Sequence, residues 1–326
     1  MTDSRAVSAP PAAGGLLTFG ETMGLVTATT VGTLEYARGF TFGVGGAESN
    51  VAIGAARLGA PVTWIGRVGN DAAGDLVGRR LRAEGIRTVA IRDTAFTGLM
   101  VRHHRTANVV HVDYHRAGSA GSRLASRDIP VDSVRGAEIL HLTGITPALS
   151  ASAREAVRDA VAAAKENGVL VSVDVNHRSK LWDRATARRE LQWLVAEADI
   201  VFAGTGEAQL VLDSEADTPE SLAAGLAASG PRESIVKTGA RGCTAHIDGA
   251  LHEEPALSVL VVDTVGAGDA FVAGYLAERL RGADPAQRLQ TACAMGAYAV
   301  TVPGDCELLP TRDELETFVT VGDVLR

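Results

Sequence analysis

The chain has 326 residues, 31 Lys and Arg against 39 Asp and Glu, and a formal net charge of −8, a balance that disfavours a nucleic-acid binder because phosphate neutralisation needs clustered cations. Three widely spaced cysteines (Cys243, Cys293, Cys306) include no C-x-x-C pair, which disfavours a disulfide framework and a zinc site. Hydrophobic residues at 46% suit a sizeable core, the length suits two domains or one large α/β domain with an insertion, and 36 glycines point to tight turns.

Residues 1–15 (MTDSRAVSAPPAAGG) lack the continuous apolar stretch of a signal peptide and are expected to form a disordered tail. No apolar run approaches the ~18 residues of a membrane span, so no membrane partner is expected. The free cysteines fit a reducing compartment, and the expectation is a soluble, cytoplasmic protein. Leu16–Phe19 reads as a buried strand emptying into Gly20-Glu21. Residues 26–42 alternate weakly and suggest short exposed strands. Glu48–Leu58 has helical spacing through Val51, Ala55 and Leu58, and Gly59 stops it. A strand at Val62–Val68 and an amphipathic helix over Ala73–Glu84 follow.

Residues 88–116 break this rhythm. Thr97–Tyr114 holds two alternating runs around Thr106-Ala107-Asn108, the pattern of a hairpin. With 26–42 it is expected to form a small separate sheet. From residue 137 the alternation returns, with strands at Glu138–Leu142, Val169–Asp174, Asp199–Phe202 and Ser234–Lys237. Helices are expected near 151–165, 185–196 and 218–228, two more follow Gly268 and Pro285, and a terminal one starts at Pro310-Thr311. Such alternation predicts an α/β fold, a mainly parallel sheet flanked by helices. No repeat of 20–50 residues is visible, which disfavours a solenoid.

The most informative segment is DTVGAGDAFVAG, Asp263 to Gly274, which follows the apolar run Val259–Val262 and opens an apolar helix. Gly266-Ala267-Gly268 lets the backbone turn sharply and present N–H groups outward. Those groups lie at a helix N-terminus, where the dipole favours an anion such as a phosphoryl group. Asp269 sits beside that pocket, placed to accept a proton from a hydroxyl. GAGD alone is equally compatible with a glycine turn and a capping Asp. The twelve residues together resemble the second signature of the ribokinase-like (phosphofructokinase-B-type) sugar kinases. In that family the Gly-Ala-Gly turn forms the anion hole and the following Asp is the catalytic base.

A second match lies about 220 residues earlier, in Gly45-Gly46-Ala47-Glu48-Ser49-Asn50, followed by Ala56-Arg57-Leu58-Gly59 and by Gly66-Arg67-Val68-Gly69-Asn70-Asp71. It resembles the family's first signature, in which the Gly pair lets a sugar approach the backbone; Gly46 and Asn50 are the corresponding substrate contacts. Asn50 can both donate and accept toward sugar hydroxyls, or simply start a helix. The resemblance spans residues 16–320 and implies one kinase domain over 16–326, carrying a small β-sheet lid near 26–42 and 88–116.

Lys237-Thr238-Gly239-Ala240-Arg241-Gly242 resembles the family's nucleotide loop and reads equally as a hairpin turn; Lys237, Gly239 and Gly242 are the candidate ATP contacts, with Asn176. The P-loop pattern GxxxxGK[ST] is absent, so the phosphate cradle falls to the Gly266 turn. Glu207 keeps the family's acid linked to Mg²⁺ through water, while Gly204 replaces a polar residue. Mg²⁺ is implied by the need to neutralise charge on the β- and γ-oxygens of ATP. His103, His104, His111 and His115 lie on alternating strands without an acid or Cys to complete a metal site, and read as a polar lid face.

Val112-Asp113-Tyr114-His115-Arg116-Ala117-Gly118-Ser119-Ala120-Gly121-Ser122 and Asp174-Val175-Asn176-His177-Arg178 resemble segments of the 2-keto-3-deoxygluconate kinases. The resemblance implies substrate roles for Tyr114, Arg116, Arg178 and, further on, Asp305. A guanidinium at the carboxyl end of a buried strand suits a carboxylate; pairing of Arg178 with a protein acid or an ATP phosphate is the alternative. Met100 and His115 stand where the subgroup places tyrosines. The implied activity is ATP-dependent phosphorylation of a terminal sugar hydroxyl, foremost that of 2-keto-3-deoxygluconate. Fructokinase, ribokinase, 5-dehydro-2-deoxygluconate kinase and a non-catalytic sugar sensor stay open, and family lid sheets imply a possible homodimer. A dinucleotide oxidoreductase would need GxGxxG after the first strand, where the chain instead has Gly20-Glu21-Thr22-Met23.

Overall fold

Leu16, Leu17, Thr18 and Phe19 are all buried, which a strand requires when helices cover both faces of its sheet. The computed structural model describes residues 14–106, 109–215 and 218–320. Residues 1–13 of the expected tail, and Ala107-Asn108 of the expected hairpin turn, lie outside the described residues. In chain order the elements begin β1 (Leu16–Phe19), β2 (Met23–Ala28), β3 (Phe40–Gly45), α1 (Ala47–Arg57), β4 (Val62–Gly69), α2 (Ala72–Ala83), β5 (Arg87–Asp93), β6 (Leu99–Thr106) and β7 (Val109–His115). Then come α3 (Val131–Arg135), β8 (Ile139–Thr143), α4 (Thr146–Leu149), α5 (Ala151–Glu166), β9 (Leu170–Asp174), α6 (Arg184–Glu197), β10 (Ile200–Gly204), α7 (Thr205–Leu212) and α8 (Pro219–Ala228). The chain closes with β11 (Glu233–Lys237), β12 (Cys243–Ile247), β13 (Ala250–Glu254), α9 (Ala267–Leu280), α10 (Pro285–Val300) and α11 (Arg312–Thr320).

Nine strands form the large sheet in the order β13-β12-β11-β10-β9-β8-β1-β4-β5. From β11 to β5 all neighbours are parallel, while β12 and β13 extend the edge as antiparallel hairpin strands. Because side chains alternate across a strand, Leu16 joins a core with Val51, Phe271 and Tyr275, whereas Leu17 and Phe19 join an opposite core with Leu140, Val157 and Leu191. Several helices start where a side-chain oxygen satisfies a free N–H group: Asp71 accepts from Gly74 N at 2.8 Å, and Ser150 from Ala153 N at 3.1 Å. Gly59 and Gly85, at φ +90° and +74°, end the first two helices as expected. The three cysteines are buried free thiols, and the Sγ atoms of Cys243 and Cys293 lie 3.8 Å apart.

A separate four-stranded sheet has the order β3-β2-β6-β7. It is mixed: β2 pairs antiparallel with β3 and parallel with β6, and β6 pairs antiparallel with β7. Its boundaries correct the sequence reading. Arg87–Asp93, assigned above to the insertion, pairs parallel with β4 at the edge of the large sheet. The preceding helix α2 packs on it, completing an ordinary β-α-β crossover. The small sheet therefore uses Leu99–Thr106 and Val109–His115 and, on its other half, begins at Met23 and runs to Gly45. Val259–Val262, apolar as it is, is not a strand; Leu260 is 83% exposed. No helix among the described residues is long and apolar enough to cross a membrane.

Candidate active site

Loops leaving the carboxyl ends of β1, β8 and β9 open into a cavity of about 1110 Å³, the usual ligand edge of a parallel sheet. The small sheet covers it with Met23, Met100, Val112 and Tyr114. Of the residues singled out above, Gly46, Asn50, Tyr114 and Arg116 line this cavity. Arg178, Gly266, Asp269 and Asp305 complete the set. Gly239 and Gly242 are not on its wall: they shape the β11–β12 hairpin, where Gly242 has φ +95° and a Cβ would overlap the Glu254 carbonyl.

Gly266 precedes α9 at φ +76°, in the left-handed region that favours glycine. A Cβ there would also overlap the Asp305 carbonyl oxygen. The first amides of α9, from Ala267, Gly268 and Asp269, have no carbonyl one turn earlier to bond and converge at the positive end of the helix dipole. Asp269 Oδ2 accepts from Asn50 Nδ2 at 2.8 Å, and Oδ1 faces Asn176 Nδ2 at 3.5 Å. Burial raises the Asp269 carboxyl to about 7, with the nearby Asp174 charge adding to it and Asn50, Lys237 and Arg178 opposing it. A carboxylate so tuned is a competent proton acceptor near neutral pH.

Behind the turn, Lys237 Nζ donates to both oxygens of Asp174, at 2.9 and 2.8 Å. Burial opposes the Lys237 charge, but Asp174, Glu207 and Asp269 outweigh it and the ammonium is held above its ordinary pKa. It lies 3.5 Å from where a Cβ on Gly268 would stand, so it reaches the anion turn rather than the hairpin loop that follows it. Asn176, at φ +37°, is held in a conformation unusual for a side-chain-bearing residue, and it brings β9 to Asp269. Glu207 accepts from Gly204 N at 2.7 Å and from His177 N at 2.8 Å, capping α7 and fixing the loop that carries Arg178.

The two candidate arginines differ. Arg116 is engaged: Nε donates to Glu21 Oε2 at 2.7 Å, and its Nη2 lies 2.5 Å from the same oxygen. Arg178 is exposed and forms no ion pair among the described residues; its Nη1 donates only to the His177 carbonyl, at 3.4 Å. Asp305 takes an ion pair from Arg102, and burial raises its carboxyl to about 6 against the opposing Arg102 charge.

A family model described as pfkB family carbohydrate kinase matches residues 14–312. The chain belongs to this family. Among its relatives, the 2-dehydro-3-deoxygluconokinase of Bacillus subtilis is 36% identical over 93% of this chain and 95% of that one. The 2-dehydro-3-deoxygalactonokinase of Haloferax volcanii is 34% identical over 94% and 97%. A solved structure from E. coli, in complex with ATP and Mg²⁺, superposes with a TM-score of 0.86 at 29% identity, covering 94% of this chain and 98% of that one.

This pfkB family kinase holds several site residues that sequence reasoning passed over. Glu21 secures Arg116 and also accepts from Ser119 Oγ. Glu48 is 1% exposed, accepts from Thr143 Oγ1 at 2.7 Å and Thr146 Oγ1 at 2.6 Å, and is held above its ordinary pKa by burial. Gly20 has no room for a Cβ above it. Arg102 on β6 is another, and the strand carries a signal for it. Met100 and Arg102 share one strand face and are 6% and 4% exposed, and a charge on a buried face requires a partner. His103 and His111, read as a polar face, stack across β6 and β7 with centroids 5.2 Å apart.

Proposed function

We propose that this pfkB family kinase transfers the γ-phosphoryl group of ATP to the terminal hydroxyl (O6) of 2-keto-3-deoxygluconate, also called 2-dehydro-3-deoxygluconate. The observation that carries the acid-sugar reading is Arg178: an arginine on the cavity wall, exposed and without an ion-pair partner among the described residues. An uncommitted guanidinium favours a carboxylate, which it can grip with two parallel hydrogen bonds. The names of the Bacillus and Haloferax relatives support the same substrate class and make the galactonate epimer the nearest alternative.

In this reading Asp269, oriented by Asn50 and Asn176, takes the proton as the sugar oxygen attacks phosphorus in line. The amides of Gly266, Ala267 and Gly268, with Lys237 behind them, meet the charge that develops on the transferring group. Gly46, Asn50, Tyr114, Arg116, Arg178 and Asp305 bind the sugar, with Arg116 fixed by Glu21. Asn176, Lys237, Gly239 and Gly242 belong to the nucleotide side. A metal held chiefly by nucleotide and water would need little more from the chain than one acid. Glu207, with each carboxylate oxygen accepting one backbone amide, has lone pairs left for a bound water. Mg²⁺ bound there would neutralise charge on the phosphate oxygens. Residues 16–326 act as one kinase domain, and the small sheet is its lid, excluding water from the reaction.

The half-exposed Phe40 and Phe42 on the edge strand β3 support a homodimer through this sheet, which light scattering on the purified chain would test. The activity is tested by ADP release with ATP and 2-keto-3-deoxygluconate, its galactonate epimer, fructose and ribose. A preference for the first is expected; preference for fructose or ribose, or ADP release independent of sugar, would remove the acid-sugar assignment.

A further inference from the structure

Arg102 lies on β6, in the small sheet, and is 4% exposed. Its Nη1 donates to Asp305 Oδ1 and stands 3.9 Å from Asp263 Oδ2. Neither acid belongs to the small sheet. Asp263 leads into the anion turn, where its Oδ1 accepts from Val265 N at 3.1 Å. Asp305 lies in the loop after α10, and its main-chain carbonyl packs on Gly266 so closely that no Cβ fits between them. One side chain of the cavity's cover is thus tied to both flanks of the turn beneath it.

Asp305 lines the cavity and Arg102 does not. With Oδ1 taken by Arg102, Oδ2 lies on the side of Gly45, 2.8 Å from where a Cβ on that glycine would stand. No donor to Oδ2 is present among the described residues, so an acceptor is left for an incoming hydroxyl. A buried ion pair is a poor way to gain stability, because desolvating both charges offsets most of their attraction. Its retention at the edge of the cavity points to orientation rather than cohesion.

Resting on the sugar-kinase reading above, we propose that Arg102 is a positioning residue for sugar recognition. By clamping Oδ1 of Asp305 it aims Oδ2 at a sugar hydroxyl, and through the Asp305 carbonyl over Gly266 it sets that acceptor in register with the anion turn. The charged groups facing the Asp305 carboxylate are Arg102, Glu307 and Asp263; Arg102 alone among them favours ionisation. Without Arg102, Asp305 protonates at higher pH and presents a donor where an acceptor is needed.

The test compares wild type, Arg102→Met, Arg102→Lys, Asp305→Asn and the Arg102→Met/Asp305→Asn double variant with 2-keto-3-deoxygluconate and ATP. Arg102→Met is expected to raise the sugar KM by about 10- to 100-fold with the ATP KM within about threefold, because only one substrate depends on the aimed carboxylate. The acid limb of kcat/KM for the sugar should move up by about one pH unit, and Arg102→Lys should recover part of both effects. The double variant should be no worse than the poorer single variant, since both remove the same contact. Equal rises in the two KM values, an unmoved acid limb or additive single effects would overturn the proposal. If Arg102→Met does not fold, the acid limb and sugar KM of Arg102→Lys decide in the same way. Wild-type turnover with an unaffected Arg102→Met overturns this inference alone, whereas absence of wild-type turnover on every sugar overturns the kinase reading and this inference with it.

Discussion

Around Asp269 the polar groups hold one another, whereas elsewhere on the cavity wall the Arg178 charge is uncommitted among the described residues. Asn50 and Asn176 face the two Asp269 oxygens, Asp174 grips Lys237, and Gly266 sits where no other residue fits. Arg178, by contrast, is exposed and forms no ion pair among the described residues, and Tyr114 is 42% exposed. The contrast separates two tasks. Charge developing during phosphoryl transfer is met best by dipoles already in place, because reorganising them would raise the barrier. A substrate contact can wait for its ligand, since an exposed arginine is satisfied by water until a carboxylate replaces that water. Rearranging the first region should therefore cost turnover, and altering the second should cost recognition.

The largest effect is expected from Asp269→Asn, which keeps the shape and removes the proposed base: kcat should fall by roughly 10²–10⁴ with little change in either KM. An Asn variant with near-full turnover would take Asp269 out of that role. The same variant should melt higher than wild type at pH 8. The raised Asp269 pKa means that the folded state binds its proton more tightly, so stability falls as pH climbs from about 4 through about 7. Below that window the carboxyl is neutral, and the difference in melting temperature should vanish.

Next comes Gly266→Ala, which places a Cβ against the Asp305 carbonyl at a positive φ. Displacing the turn should lower kcat by about 10²–10³, and the strain should cost about 1–3 kcal/mol of stability by denaturant titration. Acidifying the wild type from pH 7 to pH 5 should reduce kcat/KM by about 10²–10³, as Asp269 and then Asp305, raised to about 7 and about 6, take up protons. A flat profile over that range would separate both groups from the reaction. The smallest effect is on the rim. Arg178→Ala should raise the KM for the acid sugar by about 10- to 100-fold, the value of a hydrogen bond to a charged group, while leaving kcat and any activity on neutral sugars near their starting values. Equal loss on acidic and neutral sugars would blur the division between the two regions.

The legibility of the site follows the same division. The anion turn is contiguous in sequence, and a left-handed glycine opening a helix is a local property that Gly266-Ala267-Gly268-Asp269 carries on its own. Asn50 and Asp269, 219 positions apart, became site candidates through the resemblance of two separate signatures, and only the fold paired them with each other. Asp305 entered through the same resemblance, but Arg102, 203 positions away, had no such guide and passed as one more residue of a polar strand.

By itself the sequence determined the α/β alternation, the strand cores and the backbone of the turn, because hydrophobic period and glycine conformation are set within a few residues. Tertiary structure decided which strand belonged to which sheet. Arg87–Asp93 is a half-buried, charge-bearing edge strand, and only its partner β4 assigns it to the large sheet. It also decided which arginine is committed, since Arg116 meets Glu21 while Arg178 meets no acid among the described residues. Charge state and availability depend on what lies within a few ångströms, and distant segments supply those neighbours only after the chain has packed.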